Sequence, residues 1–336
     1  MDLVISDYGV FLGKKSQRLT VKQKGKVINE VPFFDLEQLI IEGKGITFSS
    51  DLLYECMEHG INISFLSRSG TQYASLTSAY LNGSVITRRE QLMSYEDKRG
   101  LQLVKFFVEG KLKNQRNVLK YFAKYRKTAN IKLYEDLEDI VKKIDAHLEE
   151  LKKITGKNIE QVRGNILSVE GRAGNLYWQG VAKILGPEVD FPGREHRPAN
   201  HSVNAALNYG YAILASKIEK CLLLAGLEIF GGFLHVDRPG KKSLVYDFIE
   251  EFRQPVVDKV LIAAINKGTK IEFESDGYLT DESKKFVREK ILDRLQQKEK
   301  YQGKKYTLET IIQRQARRIA TFLRNEAKYK PFICGW

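Results

Sequence analysis

Cysteine is scarce. Cys56, Cys221 and Cys334 are the only three in 336 residues, odd in number and without the paired spacing of thiolate metal ligands. That excludes a disulfide-stapled fold and a cysteine-built zinc site, and it predicts a chain suited to the reducing cytoplasm. Proline is rare as well, with 7 residues, which favours long uninterrupted helices. The most apolar stretch, Cys221 to Leu234, carries Glu228 and falls short of the ~20 residues a bilayer span needs, so no membrane association is expected. The N-terminal residues lack the basic-then-apolar pattern of a secretory signal. Neither a glycine-rich phosphate loop nor a serine-centred nucleophile elbow is present, which removes two large classes of enzyme.

What is abundant is positive charge. Lys and Arg number 55 against 42 Asp and Glu, a net +13 with a sequence pI near 9.4. Such an excess favours a polyanionic partner, because each neutralised phosphate releases condensed counterions. The excess is uneven: from Lys284 to Lys330 there are 15 basic residues and 5 acidic ones. This C-terminal concentration suggests a nucleic-acid surface, with a merely solvated helix face as the plainer alternative.

The order of patterns predicts an α+β chain with a β-rich domain over 1–87 and a mostly helical domain over 88–336. Leu3-Val4-Ile5 and Val10-Phe11-Leu12 are short apolar runs split by the turn signal Asp7-Tyr8-Gly9. Lys24-Gly25 joins two further runs as a hairpin; Leu39 to Ile41 and Ile61 to Phe65 are also strand candidates, and Ser49-Ser50 caps a short helix to about His59. Asn82-Gly83-Ser84 resembles a linker. Beyond Arg88, apolar residues recur at helical spacing through Phe122, and again over 130–153, 280–297 and 308–324.

Three segments carry candidate chemistry. Glu170 lies in a helical stretch running to about Leu185, with Gly171 and Gly174 beside it; two glycines inside a helix suggest close approach of a ligand or of another backbone, or tight helix packing. His235 stands between Leu234 and Val236, ahead of a turn containing Pro239 and Gly240; a lone histidine of this kind serves either as a core residue or as a ligand. Ser243 caps a predicted helix that places Asp247 and Glu250 on one face with Gln254 and ends at Pro255. Like charges on one face are destabilising unless a cation or basic group sits between them, with a solvated acidic face as the plainer alternative. Two carboxylates with one imidazole form a hard donor set suited to Mn²⁺ or Mg²⁺, an ion able to polarise a phosphodiester.

Across these segments the sequence resembles the CRISPR-associated integrase, the metal-dependent nuclease subunit of the spacer-acquisition complex. The likeness spans nearly the whole chain: Gly110-Lys-Leu-Lys-Asn-Gln-Arg116, Glu170-Gly-Arg-Ala with Tyr177-Trp178, Phe191 to Asn200 with Asn204 and Asn208-Tyr209, Leu234 to Arg253, and Tyr329-Lys-Pro-Phe332. It departs from the family at Val169, Lys241 and Asn200, where glycine, arginine and aspartate are frequent. Lysine at 241 keeps the charge without the bidentate geometry.

The resemblance implies Glu170, His235 and Glu250 as metal ligands, with Asp247 and Arg253 beside the reacting phosphate. It further implies that Arg194, Arg197, Arg238, Lys241 and Lys242 neutralise DNA backbone. The implied partners are double-stranded and branched DNA, a second copy of the chain through the β-rich domain, and a small ferredoxin-like subunit bridging two dimers. The implied reaction is attack of a DNA 3′-hydroxyl on a phosphodiester of the CRISPR array. A structure-selective nuclease on branched DNA and a non-catalytic DNA-binding scaffold are the alternatives. In each case affinity for DNA should fall steeply with salt, the log–log slope steepening by about 0.9 per phosphate contacted, and a flat response in a fluorescence-anisotropy titration would contradict the basic surface.

Overall fold

The computed structural model describes residues 1–67, 70, 72–78, 85–189, 191–195, 199–274 and 277–335. The Asn82-Gly83-Ser84 segment lies outside them. The chain divides into two compact units, Met1–Asn82 and Gly83–Trp336. It is α+β: strand-built at the front and helical behind, as the change of periodicity predicts.

The first unit holds β1 (Asp2–Ile5), β2 (Val10–Lys15), β3 (Arg18–Gln23), β4 (Lys26–Pro32), β5 (Gln38–Glu42), β6 (Thr47–Phe48), α1 (Ser50–Glu58), β7 (Asn62–Leu66) and β8 (Gln72–Leu76). They form two four-stranded sheets, ordered β1-β5-β7-β8 and β4-β3-β2-β6. In the first, β1, β5 and β7 run parallel with Leu3, Leu39 and Ile63 in register, while β8 returns antiparallel. In the second, β2, β3 and β4 form an antiparallel meander. Lys24 and Gly25 both have φ near the left-handed value at the β3–β4 turn, as a two-residue hairpin of the primed type needs. Ser49 accepts from the Leu52 N–H and so caps α1, satisfying one of the helix's orphan donors.

The second unit contains α2 (Val85–Met93), α3 (Lys98–Lys124), the single turn α4 (Arg126–Ala129), α5 (Ile131–Lys153), α6 (Arg163–Leu185), α7 (Ser202–Leu224), α8 (Ser243–Phe248), α9 (Lys259–Ile265), α10 (Asp281–Gln296), the hairpin β9 (Lys298–Tyr301) with β10 (Lys304–Thr307), and α11 (Leu308–Leu323). Leu101, Val104, Val108, Leu112 and Leu119 recur every three, four or seven residues along α3 and are all buried, the pattern of a helix with one apolar stripe. Asn130, Thr280 and Thr307 cap α5, α10 and α11 through side-chain oxygens. Among the described residues no helix is long and apolar enough to cross a membrane.

The final segment is strapped across α3. Asn114, nearly fully buried, donates to the carbonyls of Glu251 (2.8 Å) and Phe332 (2.9 Å) and accepts from the Cys334 N–H (2.8 Å). Asn117 donates to the Cys334 carbonyl at 2.7 Å. Glu251 accepts from the Tyr329 hydroxyl (2.5 Å), the Phe332 N–H (2.9 Å) and the Gln315 amide (3.0 Å). Burial pushes the Glu251 carboxyl up to about 8 even against these three donors. A Cβ at Gly110 would come within 2.9 Å of Glu251 Cγ and 3.0 Å of Pro331 Cβ, so only glycine lets α3 approach both. Asn114→Ala would orphan two buried carbonyls and one N–H and should cost about 2 kcal/mol or more in urea unfolding; a cost near zero would refute the strap.

Candidate metal and phosphate site

The site is built where α3, α6, α7 and the segment 231–258 meet. Gly232 sets the approach of that segment to α8: a Cβ there would stand 2.5 Å from Ser243 Cβ and 2.7 Å from its backbone carbon. The close pass lays the N–H groups of Phe233 (2.6 Å), Leu234 (3.0 Å) and His235 (3.0 Å) on the carboxylate of Asp247, which is fully buried. The same carboxylate meets Nδ1 of His235 at 2.6 Å. An acceptor at Nδ1 fixes neutral imidazole as the Nδ1–H tautomer and leaves Nε2 as the nitrogen for an outside ligand. His235 is half-buried, so that nitrogen is within reach.

After α8 the chain does not continue as the single helix expected through Gln254. Ile249–Glu251 tightens into a 3₁₀ turn, and Arg253–Asp258 widens into a π-helix. Pro255 supplies the reason: it has no N–H to donate, and its ring would clash with the carbonyl four residues back in an α-helix. The expected common face is therefore broken up. Asp247 points behind His235, Glu250 into the site, and Glu251 toward the C-terminal strap. Ser243 makes no cap hydrogen bond either; Lys242 occupies the N-cap position.

Glu250, 4% exposed, is paired on both oxygens: Oε2 lies 2.6 Å from the Lys111 ammonium and Oε1 lies 3.3 Å from Arg253 Nη2. Burial alone would raise its carboxyl, but Arg253 and Lys111 outweigh it and hold it at about 2. Lys111 also pairs with Glu170, which projects from α6. Burial disfavours the ammonium, yet the two carboxylates more than compensate and raise its pKa above the ordinary lysine value. The ligand atoms of Glu170, His235 and Glu250 do not all lie within 4.8 Å of one another. A cation already joins the two carboxylates, and it belongs to the chain.

Behind this cluster the Arg253 guanidinium lies 4.7 Å from the Tyr211 ring centroid and that of Arg194 5.4 Å from it. Buried Asp258 accepts from the hydroxyls of Tyr211 (2.5 Å) and Tyr177 (2.9 Å), and burial raises its carboxyl. Arg194 also donates to Asn204 (3.1 Å) and Asn208 (2.6 Å). It therefore braces the site from within. Lys242 is paired with Glu219 at 2.7 Å. Arg238 is exposed and Lys241 half-exposed, while Arg197 lies outside the described residues.

Gly171 and Gly174 have nothing within 4 Å of where a Cβ would stand. Helix packing does not explain them. Of the C-terminal basic residues, Arg294 is buried against the Pro255 carbonyl and Glu299, whereas Lys298, Lys300, Lys304 and Lys305 stand exposed on the β9–β10 hairpin. Sequence reasoning missed Lys111, Tyr211 and Asp258 as parts of the site. Lys111 sat inside the quoted Gly110–Arg116 run, which was the available signal.

Comparison with known proteins agrees with this architecture. The model of the CRISPR associated protein Cas1 family matches residues 3–297. A CRISPR-associated endonuclease Cas1 of Archaeoglobus fulgidus is 37% identical over 347 residues, covering 100% of both chains. A casposase bound to integration product superposes with a TM-score of 0.82 at 25% identity, over 99% of this chain and 93% of that one. A Cas6-RT-Cas1–Cas2 complex contains a chain of the same fold, with a TM-score of 0.75 at 22% identity, over 99% of this chain and 36% of that one. The two-unit chain with its carboxylate-lined helical site is thus a nuclease. It belongs to the Cas1 family of CRISPR-associated endonucleases. The non-catalytic scaffold reading falls away.

The His235–Asp247 geometry is testable without DNA. In a ¹⁵N imidazole spectrum at alkaline pH, His235 should carry its proton on Nδ1, and Asp247→Asn should abolish that preference; an Nε2–H tautomer in the wild type would contradict the assignment.

Proposed function

We propose that the chain is a metal-dependent DNA integrase and nuclease, with Glu170, His235 and Glu250 as ligands of one divalent cation. The observation that supports this most is that carboxylates from α6 and from the turn after α8 gather round a single positive charge. His235, steered by Asp247, offers Nε2 from the segment that precedes α8. Two oxygens and one nitrogen from side chains fit Mn²⁺ or Mg²⁺, with coordination positions left over for water and phosphate. When bound, such an ion supplies Lewis-acid polarisation of a scissile phosphate.

The chain's own residues do the rest. Asp247 orients His235; it is a positioning residue, having no surface to offer a phosphate. Arg253 keeps Glu250 ionised and brings a guanidinium to the same place. Exposed Arg238, half-exposed Lys241 and the lysines of the β9–β10 hairpin neutralise backbone phosphate, and the open face at Gly171 and Gly174 lets a strand approach α6 closely. In the favoured reaction a DNA 3′-hydroxyl displaces another 3′-oxygen from phosphorus, so that one phosphodiester bond forms as one breaks. The casposase, bound to its integration product, supports this direction. The relatives called endonucleases support the same site using water. The Cas1–Cas2 assembly supports a Cas2 partner, and the family resemblance adds a homodimer, a small ferredoxin-like form for that partner and a cytoplasmic setting.

Purified protein incubated with a 3′-hydroxyl donor duplex, target DNA and Mn²⁺ should yield strand-joined products. Glu170→Ala, His235→Ala and Glu250→Ala should each lower that yield about a hundredfold or more while folding normally. Full activity in any of the three folded variants would defeat the ligand assignment. Fragments without joined strands would favour hydrolysis as the main reaction.

A further inference from the structure

Lys111 follows Gly110 on α3, where the helix is in close contact with the turn that carries Glu250. Its ammonium pairs with Glu170 and with Glu250, and all three side chains are poorly exposed, at 12%, 21% and 6%. Two carboxylates held close together at low exposure repel each other unless a cation stands between them. Arg253 meets only the far oxygen of Glu250 and does not pair with Glu170. Among the described residues, Lys111 is therefore the one side chain that joins the two acids to each other.

A divalent cation of the kind proposed needs the same oxygens at about 2.0–2.2 Å. An ammonium within hydrogen-bonding distance of both occupies that space, and the ligand atoms of Glu170, His235 and Glu250 remain too far apart to share an ion. The two cations exclude each other. We propose that Lys111 is a resident counter-cation which preassembles Glu170 and Glu250 in the metal-free protein and swings out of the site when a divalent ion enters. This inference rests on the reading of Glu170 and Glu250 as metal ligands. It makes Lys111 a positioning residue and sets the apparent metal affinity by the fraction of molecules in which the lysine is out.

Two measurements on the full-length protein test it. In Mn²⁺ titrations followed by electron paramagnetic resonance, Lys111→Met should bind Mn²⁺ about tenfold or more tightly than wild type, as expected when a competing conformation of at least ~90% population is removed. Its melting temperature in EDTA should be lower than that of wild type, and Mn²⁺ should raise it by more. Charge removal alone would also tighten binding, so the deciding readout is lysine accessibility in the unmutated protein. Acylation of Lys111, followed by peptide mass spectrometry, should be slow in EDTA and severalfold faster with saturating Mn²⁺. Unchanged acylation, or Mn²⁺ affinity in Lys111→Met equal to or weaker than wild type, overturns the displacement. If wild type and Glu170→Gln bind Mn²⁺ equally well, the ligand assignment itself fails and this inference with it.

Discussion

The helical unit is organised around one electrostatic constraint: two carboxylates cannot share a poorly hydrated space without positive charge between them. Glu170 and Glu250 come from elements far apart in sequence, and Lys111 and Arg253 are the groups that let them meet. Local devices set the backbone around them. Gly110 lets α3 come close, Gly232 lets the 231–235 segment reach Asp247, and Pro255 forces the wide turn that follows Arg253. The site is a consequence of three backbone accommodations around a charge problem.

Glu250 and Glu251 show how local geometry assigns roles to like residues. Within one tight turn they point to different places. Glu250 meets two cations and keeps its charge, with its carboxyl at about 2. Glu251 meets a tyrosine hydroxyl, an amide and a backbone N–H but no cation, and burial pushes it up to about 8. Both are nearly inaccessible, so the difference lies in the partners and not in exposure alone. The first faces Lys111 and Arg253, and the second ties the C-terminal strap to α3. That strap explains why two runs distant in sequence, Gly110–Arg116 and Tyr329–Phe332, belong together: Asn114 binds the tail while Lys111, three residues earlier, faces the acids.

Much of the fold was legible because its signals are local. Ser49, Asn130, Thr280 and Thr307 cap their helices as short polar side chains at such positions do, and Lys24-Gly25 turns a hairpin. The site was less legible, because the segment from Ser243 carries a helical pattern that a proline and a tight turn override. The pattern put Asp247 and Glu250 on one face; tertiary contact put Asp247 behind His235. Arg194 and Arg294 illustrate a second limit. Their charge counts toward a basic surface, yet one braces Tyr211 and the other holds the Pro255 carbonyl. Composition reports how much charge a chain has, while partners decide how much of it reaches a ligand. Lys111 lay within the Gly110–Arg116 run, but its pairing with Glu170 and Glu250 appears only in three dimensions.

The central claim is that Glu170, His235 and Glu250 close on one divalent ion. Anomalous diffraction at the manganese edge from Mn²⁺-soaked crystals addresses it directly. The account predicts a single strong peak within coordination distance of a Glu170 oxygen, a Glu250 oxygen and His235 Nε2, at about 2.0–2.3 Å. A peak bound elsewhere, or none at saturating Mn²⁺ with Lys111 still between the acids, would contradict it.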